Sequence, residues 1–148
     1  MNFQQTLLLH AKKVTHYIKN DALDVIGTLA VNHAQDSFIN EGYTDAHLQP
    51  WKEVKRRQSG KGKPRDQTRP ILSDTGDLKD SVRYEKDGDS VHIGSDLDYA
   101  KPNNEGTNNA GRGNKTTIPQ RKFIGKSIEL ETQIKAKIQR DLKRITKT

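Results

Sequence analysis

Asp74-Thr75-Gly76, within ILSDTGDLKDSV from Ile71 to Val82, is the tripeptide on which aspartic proteases present a catalytic carboxylate. That chemistry needs two carboxylates sharing one proton across opposed, mostly β-sheet lobes, because two like charges at close range cannot both ionise. A chain with a single Asp-Thr-Gly would supply the second carboxylate only as a homodimer using Asp74 twice. Here Asp77 follows where a small residue is usual, polar Ser73 precedes, and the flanking thirds carry helical patterns. The competing reading is a turn, in which Asp74 or Thr75 caps and Gly76 takes a permissive backbone angle.

The other candidate motifs fail on spacing. Gly125-Lys126-Ser127 looks like the end of a phosphate-cradling loop, but Gln120 stands where its first glycine is required, and SGKGKP and GRGNKTT miss the pattern as well. The five histidines, His10, His16, His33, His47 and His92, show no paired spacing with carboxylates. No nucleophile-elbow pattern surrounds a serine. With no cysteine there is no thiol nucleophile, thiolate zinc site or disulfide framework, which suits synthesis in a reducing cytosol. No catalytic residue, cofactor or metal is expected.

Basic clusters are the remaining chemical signal. Lys55, Arg56 and Arg57 lie in KEVKRR, Lys61, Lys63 and Arg65 in GKGKPR, and Arg112 and Lys115 in an Asn/Gly-rich stretch. With a formal net charge of +7 and a pI near 9.6, these residues suit a DNA backbone or an acidic protein surface. Aromatic residues are only 5% of the chain and are not interleaved with the clusters, so base stacking is not expected.

The elements that must carry these residues follow from periodicity. A chain of 148 residues fits one domain, and a mean hydropathy of -0.97 implies a thin core completed against copies of itself or a partner. Phe3, Leu7, Val14 and Ile18 predict a first helix ending at a break over Lys19 to Asp21, with Asn20 or Asp21 capping the next. Leu23, Ile26, Leu29, Ala30, His33, Ser37 and Phe38 form the stripe of a second helix, stopped by Asn40 to Gly42. Residues 43–70 read as an extended loop anchored by the single tryptophan, Trp51. Val82 and Tyr84, then Val91 and Ile93, alternate around Asp87-Gly88 as a hairpin. Residues 102–119 read as a flexible arm that orders on a partner. Ile128, Leu130, Ile134, Ile138, Leu142 and Ile145 trace a terminal helix. Neither a secretion signal nor a membrane span is expected.

Taken in order, FINEG, Trp51, ILSDTGDLKDSV, VHIGSDLDYAKPNNEGT and IPQRKFIGKS make a combination that resembles the phage virion morphogenesis family, the tail-completion proteins of tailed phages and prophages. The residues similar to the family pattern are Ile71, Leu72, Thr75, Gly76, Leu78, Ser81, Gly94, Tyr99, Ala100, Gly106, Pro119, Arg121, Phe123, Ile124 and Gly125. Lys101-Pro102-Asn103-Asn104 departs from it, replacing the histidine that often follows Tyr-Ala. Asp74 falls at a variable position of that pattern, which makes Asp-Thr-Gly a coincidence.

The resemblance implies a non-enzymatic assembly protein acting in tail completion and head-tail joining, as a ring-like homo-oligomer at the tail end or neck. Its partners would be itself, phage tail or neck and head-completion proteins, and DNA backbone in the channel, with no membrane. It would occupy the host cytoplasm during assembly and then the virion. Thr75-Gly76 is expected to turn into the hairpin with Leu78 beneath it, and Tyr99-Ala100 to end a strand with the Tyr99 ring buried. Arg121 is expected to pair with a carboxylate of the sheet or of a neighbour, and Phe123 to lock the last helix onto the core. The fold class is α+β: an antiparallel sheet with a central hairpin, flanked by N-terminal helices and a long C-terminal helix, in one domain over 1–148. A basic nucleic-acid-binding protein is the alternative function, and the Asp74 homodimeric protease a further one.

Overall fold

The computed structural model describes residues 2–147 and places helices at both ends of the chain, with three hairpins between them. The first helix, α1 (Phe3–His16), opens on a capping box. The Asn2 side chain accepts from the Gln5 amide at 2.9 Å, and the Gln5 side chain accepts from the Asn2 amide at 3.1 Å. The expected break at Lys19 to Asp21 is absent. The chain runs through a π-helical turn (Tyr17–Asp21) straight into α2 (Ala22–Ile39). Asn20 and Asp21 make no cap there, and Asn20 instead donates back to the His16 carbonyl at 2.9 Å. A π turn absorbs one residue and shifts the helix face. Here α1 has no buried residue, whereas Tyr17 is buried.

The buried face of α2 consists of small residues, Gly27, Ala30 and Ala34, with His33, Ser37 and Phe38, while Leu23, Ile26 and Leu29 are only half-buried. Small side chains let a hairpin approach the helix closely. The hairpin that does so is the expected one, β3 (Arg83–Asp87) against β4 (Ser90–Gly94), with Tyr84 opposite Ile93.

Both expected loops contain regular structure. Residues 43–70 include most of a short hairpin, β1 (Gly42–Thr44) with β2 (Leu48–Pro50), then α3 (Lys55–Gln58) and α4 (Pro64–Thr68). Pro64 at the first turn of α4 explains its start, since proline is preset for that position. The turn Thr75-Gly76 leads into α5 (Asp77–Asp80). Residues 102–119 continue α6 (Ala100–Glu105) and form β5 (Thr107–Ala110) paired with β6 (Thr116–Ile118) through a register shift. This third hairpin is largely exposed, in keeping with how little apolar surface it carries.

The α+β class stands, but the strands form three separate two-stranded ladders and not one sheet. The core they share is small: Ala34, Phe38, Trp51, Ile71, Leu78, Val82, Ala100 and Phe123. The last helix, α7 (Ile128–Thr146), is capped by Ser127, whose Oγ accepts from the Leu130 amide at 3.1 Å. It packs on α2 and α1 through a stripe that is half-buried at Ile134, Ile138 and Leu142. Among the described residues no helix is long and apolar enough to cross a membrane.

Candidate functional site

The residues from Pro119 to Ser127 run between β6 and α7 without regular structure, so their backbone groups need partners from elsewhere. Asn104 of α6 supplies several. Its Oδ1 accepts from the amides of Phe123 at 2.8 Å and Ile124 at 2.9 Å, and its Nδ2 donates to the Ile124 carbonyl at 3.1 Å. The Trp51 indole donates to the Lys122 carbonyl at 2.8 Å, and the Tyr43 hydroxyl to the Gly125 carbonyl at 2.6 Å. Burial pushes the Tyr43 phenol up to about 12. Ser127 Oγ donates to the Thr44 carbonyl at 2.8 Å, so Gly125-Lys126-Ser127 forms a helix entry and not a phosphate cradle. The Phe123 ring lies 5.0 Å from that of Phe38, whose ring also meets Trp51 edge-on.

Gly106, at the end of α6, has φ 75°, and a Cβ there would stand 2.9 Å from the Gln120 amide nitrogen. Only glycine fits where this strap crosses the arm. Thr75-Gly76 is the other constrained turn: Gly76 is left-handed with φ 89°, and Thr75 Oγ1 accepts from the Asp77 amide at 3.3 Å. Leu78 is buried beneath it, and Ser81 Oγ joins the Leu78 carbonyl and Ser95 Oγ, closing the open end of the β3-β4 hairpin where Gly94 faces Arg83.

Beside this turn lies a cleft of about 400 Å³ with Val54, Ile71 and Leu78 among its apolar walls and Arg56, Arg69 and Arg121 among its polar ones. Asp74 is at its edge, with a side chain 71% exposed and ion-paired to Arg69. An exposed, arginine-paired carboxylate is the opposite of a shielded dyad sharing a proton. Tyr99 does not end a strand: it precedes α6 and is 46% exposed at the cleft, while Ala100 is buried. Arg121 makes no ion pair within the chain. It donates through Nη2 to the Lys52 carbonyl at 3.2 Å, and its buried Nε has no acceptor. Burial, then the charge of Arg56, holds its pKa below the usual arginine value.

The basic residues divide into two groups. Arg57 grips Glu41 with both terminal nitrogens, and Arg56 donates to the carbonyls of Asp66, Arg69 and Pro70, so both hold α3 and α4 to the body. Lys55, Lys61, Lys63, Arg65, Arg112 and Lys115 are exposed.

Sequence reasoning passed over Glu41 and Asp141. Glu41 accepts from Arg57 and from the Ile71 amide at 2.9 Å, and its own carbonyl accepts from the Trp51 amide at 2.7 Å. Its acidic side chain after a helix end was the only available signal. Asp141, buried on α7, accepts from Tyr17 and Lys137. Exposed apolar side chains gather on α1, where Phe3 is 82% and Leu7 57% exposed with Leu8 next to Leu7, and Ile18 is exposed in the π turn. Of the stripe expected to face the core, Phe3, Leu7 and Ile18 are therefore exposed and Val14 is half-buried.

Among the described residues no group of three or more histidine, cysteine, aspartate or glutamate side chains is placed to hold a metal ion. The sequence model of the phage virion morphogenesis family matches residues 10–143. No curated protein and no solved structure matches the chain.

Proposed function

The chain belongs to the phage virion morphogenesis family, and from that membership we propose that it acts in tail completion and head-tail joining as a ring of identical copies. A phage assembly role follows from the family itself. The observation that carries the finer reading is the outward apolar stripe of α1. One face of α1 rests on α7 through half-buried residues such as His10 and Val14, and the other face is left bare. An uncovered row of Phe3, Leu7 and Leu8 marks a protein contact. In a ring each such contact is repeated, so individually weak contacts add to a firm assembly.

Asn104, Thr75 and Ser81 spend their side-chain polar groups on holding the 119–127 segment and the turn, which suits a part that joins other parts and performs no catalysis. Partners are further copies of the chain and the tail or neck proteins it closes. Assembly takes place in the host cytoplasm and the protein remains in the virion. Phage lysates lacking the gene should contain full heads separate from tails, or tails of irregular length, by electron microscopy. Supplying the wild-type chain should restore virions, and Phe3→Gln/Leu7→Gln should not. Normal virions without the gene would retire the reading.

The exposed cations Lys61, Lys63 and Arg65 favour a second reading, contact with DNA backbone. It requires affinity that falls steeply with salt and depends little on sequence.

A further inference from the structure

The cleft beside Thr75-Gly76 contains a buried cation with no ion-pair partner among the described residues. Arg121 is 8% exposed, yet no carboxylate of the described residues pairs with it. A buried cation without a partner anion is unfavourable, and the usual remedy is a carboxylate brought to it. Glu53 acts on Arg121 only from a distance, and its own ion pair is with Arg57 at 3.6 Å. Asp74 is taken by Arg69, Arg56 is satisfied only by backbone carbonyls, and Asp77 is exposed at the start of α5.

An anion of suitable shape is present on the β3-β4 hairpin. Its tip, Asp87-Gly88-Asp89, carries two exposed aspartates, with Gly88 at φ 57° making the tight turn. The only ion-pair partner of Asp87 is His92 at 4.0 Å, and Asp89 has none among the described residues. Lys86, the neighbouring cation, is already paired with Asp24 at 2.9 Å, so the tip stays negative. A two-strand tip is narrow, with strands roughly 4.8 Å apart, and suits a recess of about 400 Å³. DNA phosphates, on a convex duplex, do not suit an apolar-walled recess.

Tip and cleft lie at opposite ends of one rigid ladder. The ladder starts just after α5, whose Leu78 lines the cleft, with Arg83 facing Gly94 at that open end and Asp87 facing Ser90 at the tip, a separation of about 14 Å at ~3.4 Å per residue. A tip therefore cannot enter its own cleft, but it can enter that of the next copy, which is a head-to-tail contact of the kind that generates rings. We propose that the Asp87-Gly88-Asp89 tip of each copy docks in the Arg121 cleft of its neighbour, an inference that rests on the ring reading above and specifies its contact.

The chain has no native cysteine, so disulfide trapping can test this directly. Ser90→Cys marks the tip and keeps both aspartates, and Ser73→Cys marks a cleft wall. Mixing the two purified full-length chains under mild oxidation should give the mixed disulfide well above either self-product. That product should fall at least about tenfold when Asp87→Lys/Asp89→Lys is added to the tip chain, because like charges then meet. Arg121→Gln in the cleft chain should lower it too, with circular dichroism confirming the fold. No excess of mixed product, or an excess indifferent to the tip charges, overturns the docking. Sedimentation of the wild-type chain reports separately on the ring: oligomers without the mixed product sink the docking alone, and a monomer without it sinks both. If Arg121→Gln leaves the disulfide unchanged and lowers affinity for duplex DNA, the cleft belongs to nucleic acid and the proposal fails.

Discussion

The Tyr17 hydroxyl donates to Asp141 Oδ2 at 2.9 Å, joining the π turn of the N-terminal helices to the far end of α7. Both side chains are buried, and Lys137 reaches the same carboxylate at 2.6 Å. The π turn thus has a structural use, since Tyr17 is buried there while α1 before it is at most half-buried. Removing the hydroxyl with Tyr17→Phe leaves Asp141 its basic partners, so the expected loss is about 1.5–2 kcal/mol, at the lower end for a hydrogen bond to a charged group. Urea unfolding at neutral pH measures it.

The same pair sets two pH limits. Lys137 foremost, with Tyr17 and Arg144, holds the Asp141 carboxyl below its usual range. A carboxyl depressed in the folded state contributes fully above its unfolded pKa, about 3.9, and loses that contribution as pH falls through the lower folded value. Burial, then the bond to Asp141, pushes Tyr17 up to about 12. A group raised on folding works in the opposite direction: its contribution is complete below about pH 10 and is lost as pH rises toward 12. Stability of Tyr17→Phe measured from pH 9 upward should show a shallower alkaline decline, the part that remains coming from Tyr43, which burial also raises to about 12. An identical decline in variant and wild type would show that Tyr17 does not cause it.

Gly27 sits in the middle of α2 directly under the Tyr84 ring, and a Cβ there would overlap the ring carbons. Tyr84 is fixed from its other end by a bond from its hydroxyl to Asp24 at 3.0 Å. Alanine would favour the helix by about 1 kcal/mol, but displacing a ring costs roughly 1–3 kcal/mol. Gly27→Ala should therefore be destabilising by up to about 2 kcal/mol. A thermal melt showing a higher midpoint for the variant would mean the hairpin lifts freely from α2.

Asn104 bonds the 119–127 segment three times, so its loss should act locally. Asn104→Ala strands the amides of Phe123 and Ile124, at about 1–3 kcal/mol for each buried group left unsatisfied. Hydrogen exchange should rise first at those amides and spread to the start of α7. Asn104→Asp keeps an acceptor and loses only the donor to Ile124, so protection at Phe123 should largely survive. Equal exchange in the two variants would contradict this division of roles.

The parts that could be read from sequence are those whose signal is periodic. Alternation of Val82, Tyr84, Val91 and Ile93 marks the β3-β4 hairpin, and the isoleucine and leucine spacing after Gly125 marks α7. Periodicity identifies an apolar face without saying what covers it, so Phe3 and Leu7 read as core although they face outward. Asn20 and Asp21 are good capping types, and only tertiary contact with Asp141 favours the π turn over a break. The residues that hold the motif together, Glu41 with Arg57 and Ile71, and Tyr43 with Gly125, act over long sequence separations that no local pattern records. Motif positions such as Gly76 and Gly106 were visible as residue types, but the reason for each is a left-handed turn or a close backbone crossing.

Asp74 and Glu41 are both acidic residues paired with arginine, and comparing them decides the protease question. Asp74 is exposed and bonded only to Arg69. An exposed pair contributes about 0–1 kcal/mol, so Asp74→Asn should leave stability nearly unchanged and particle yield intact in a complementation assay. Glu41 is partly shielded, and it binds Arg57, the Ile71 amide and, through its backbone, Trp51. Arg57 foremost holds its carboxyl below the usual range, so its contribution is present above about pH 4.3 and is lost as pH falls below that. Glu41→Gln should cost about 1.5–3 kcal/mol at neutral pH, the range for a hydrogen bond to a charged group, and should narrow the gap to wild type in acid. A protease working through Asp74 predicts the reverse order in the complementation assay, with Asp74→Asn abolishing particles while the protein stays folded.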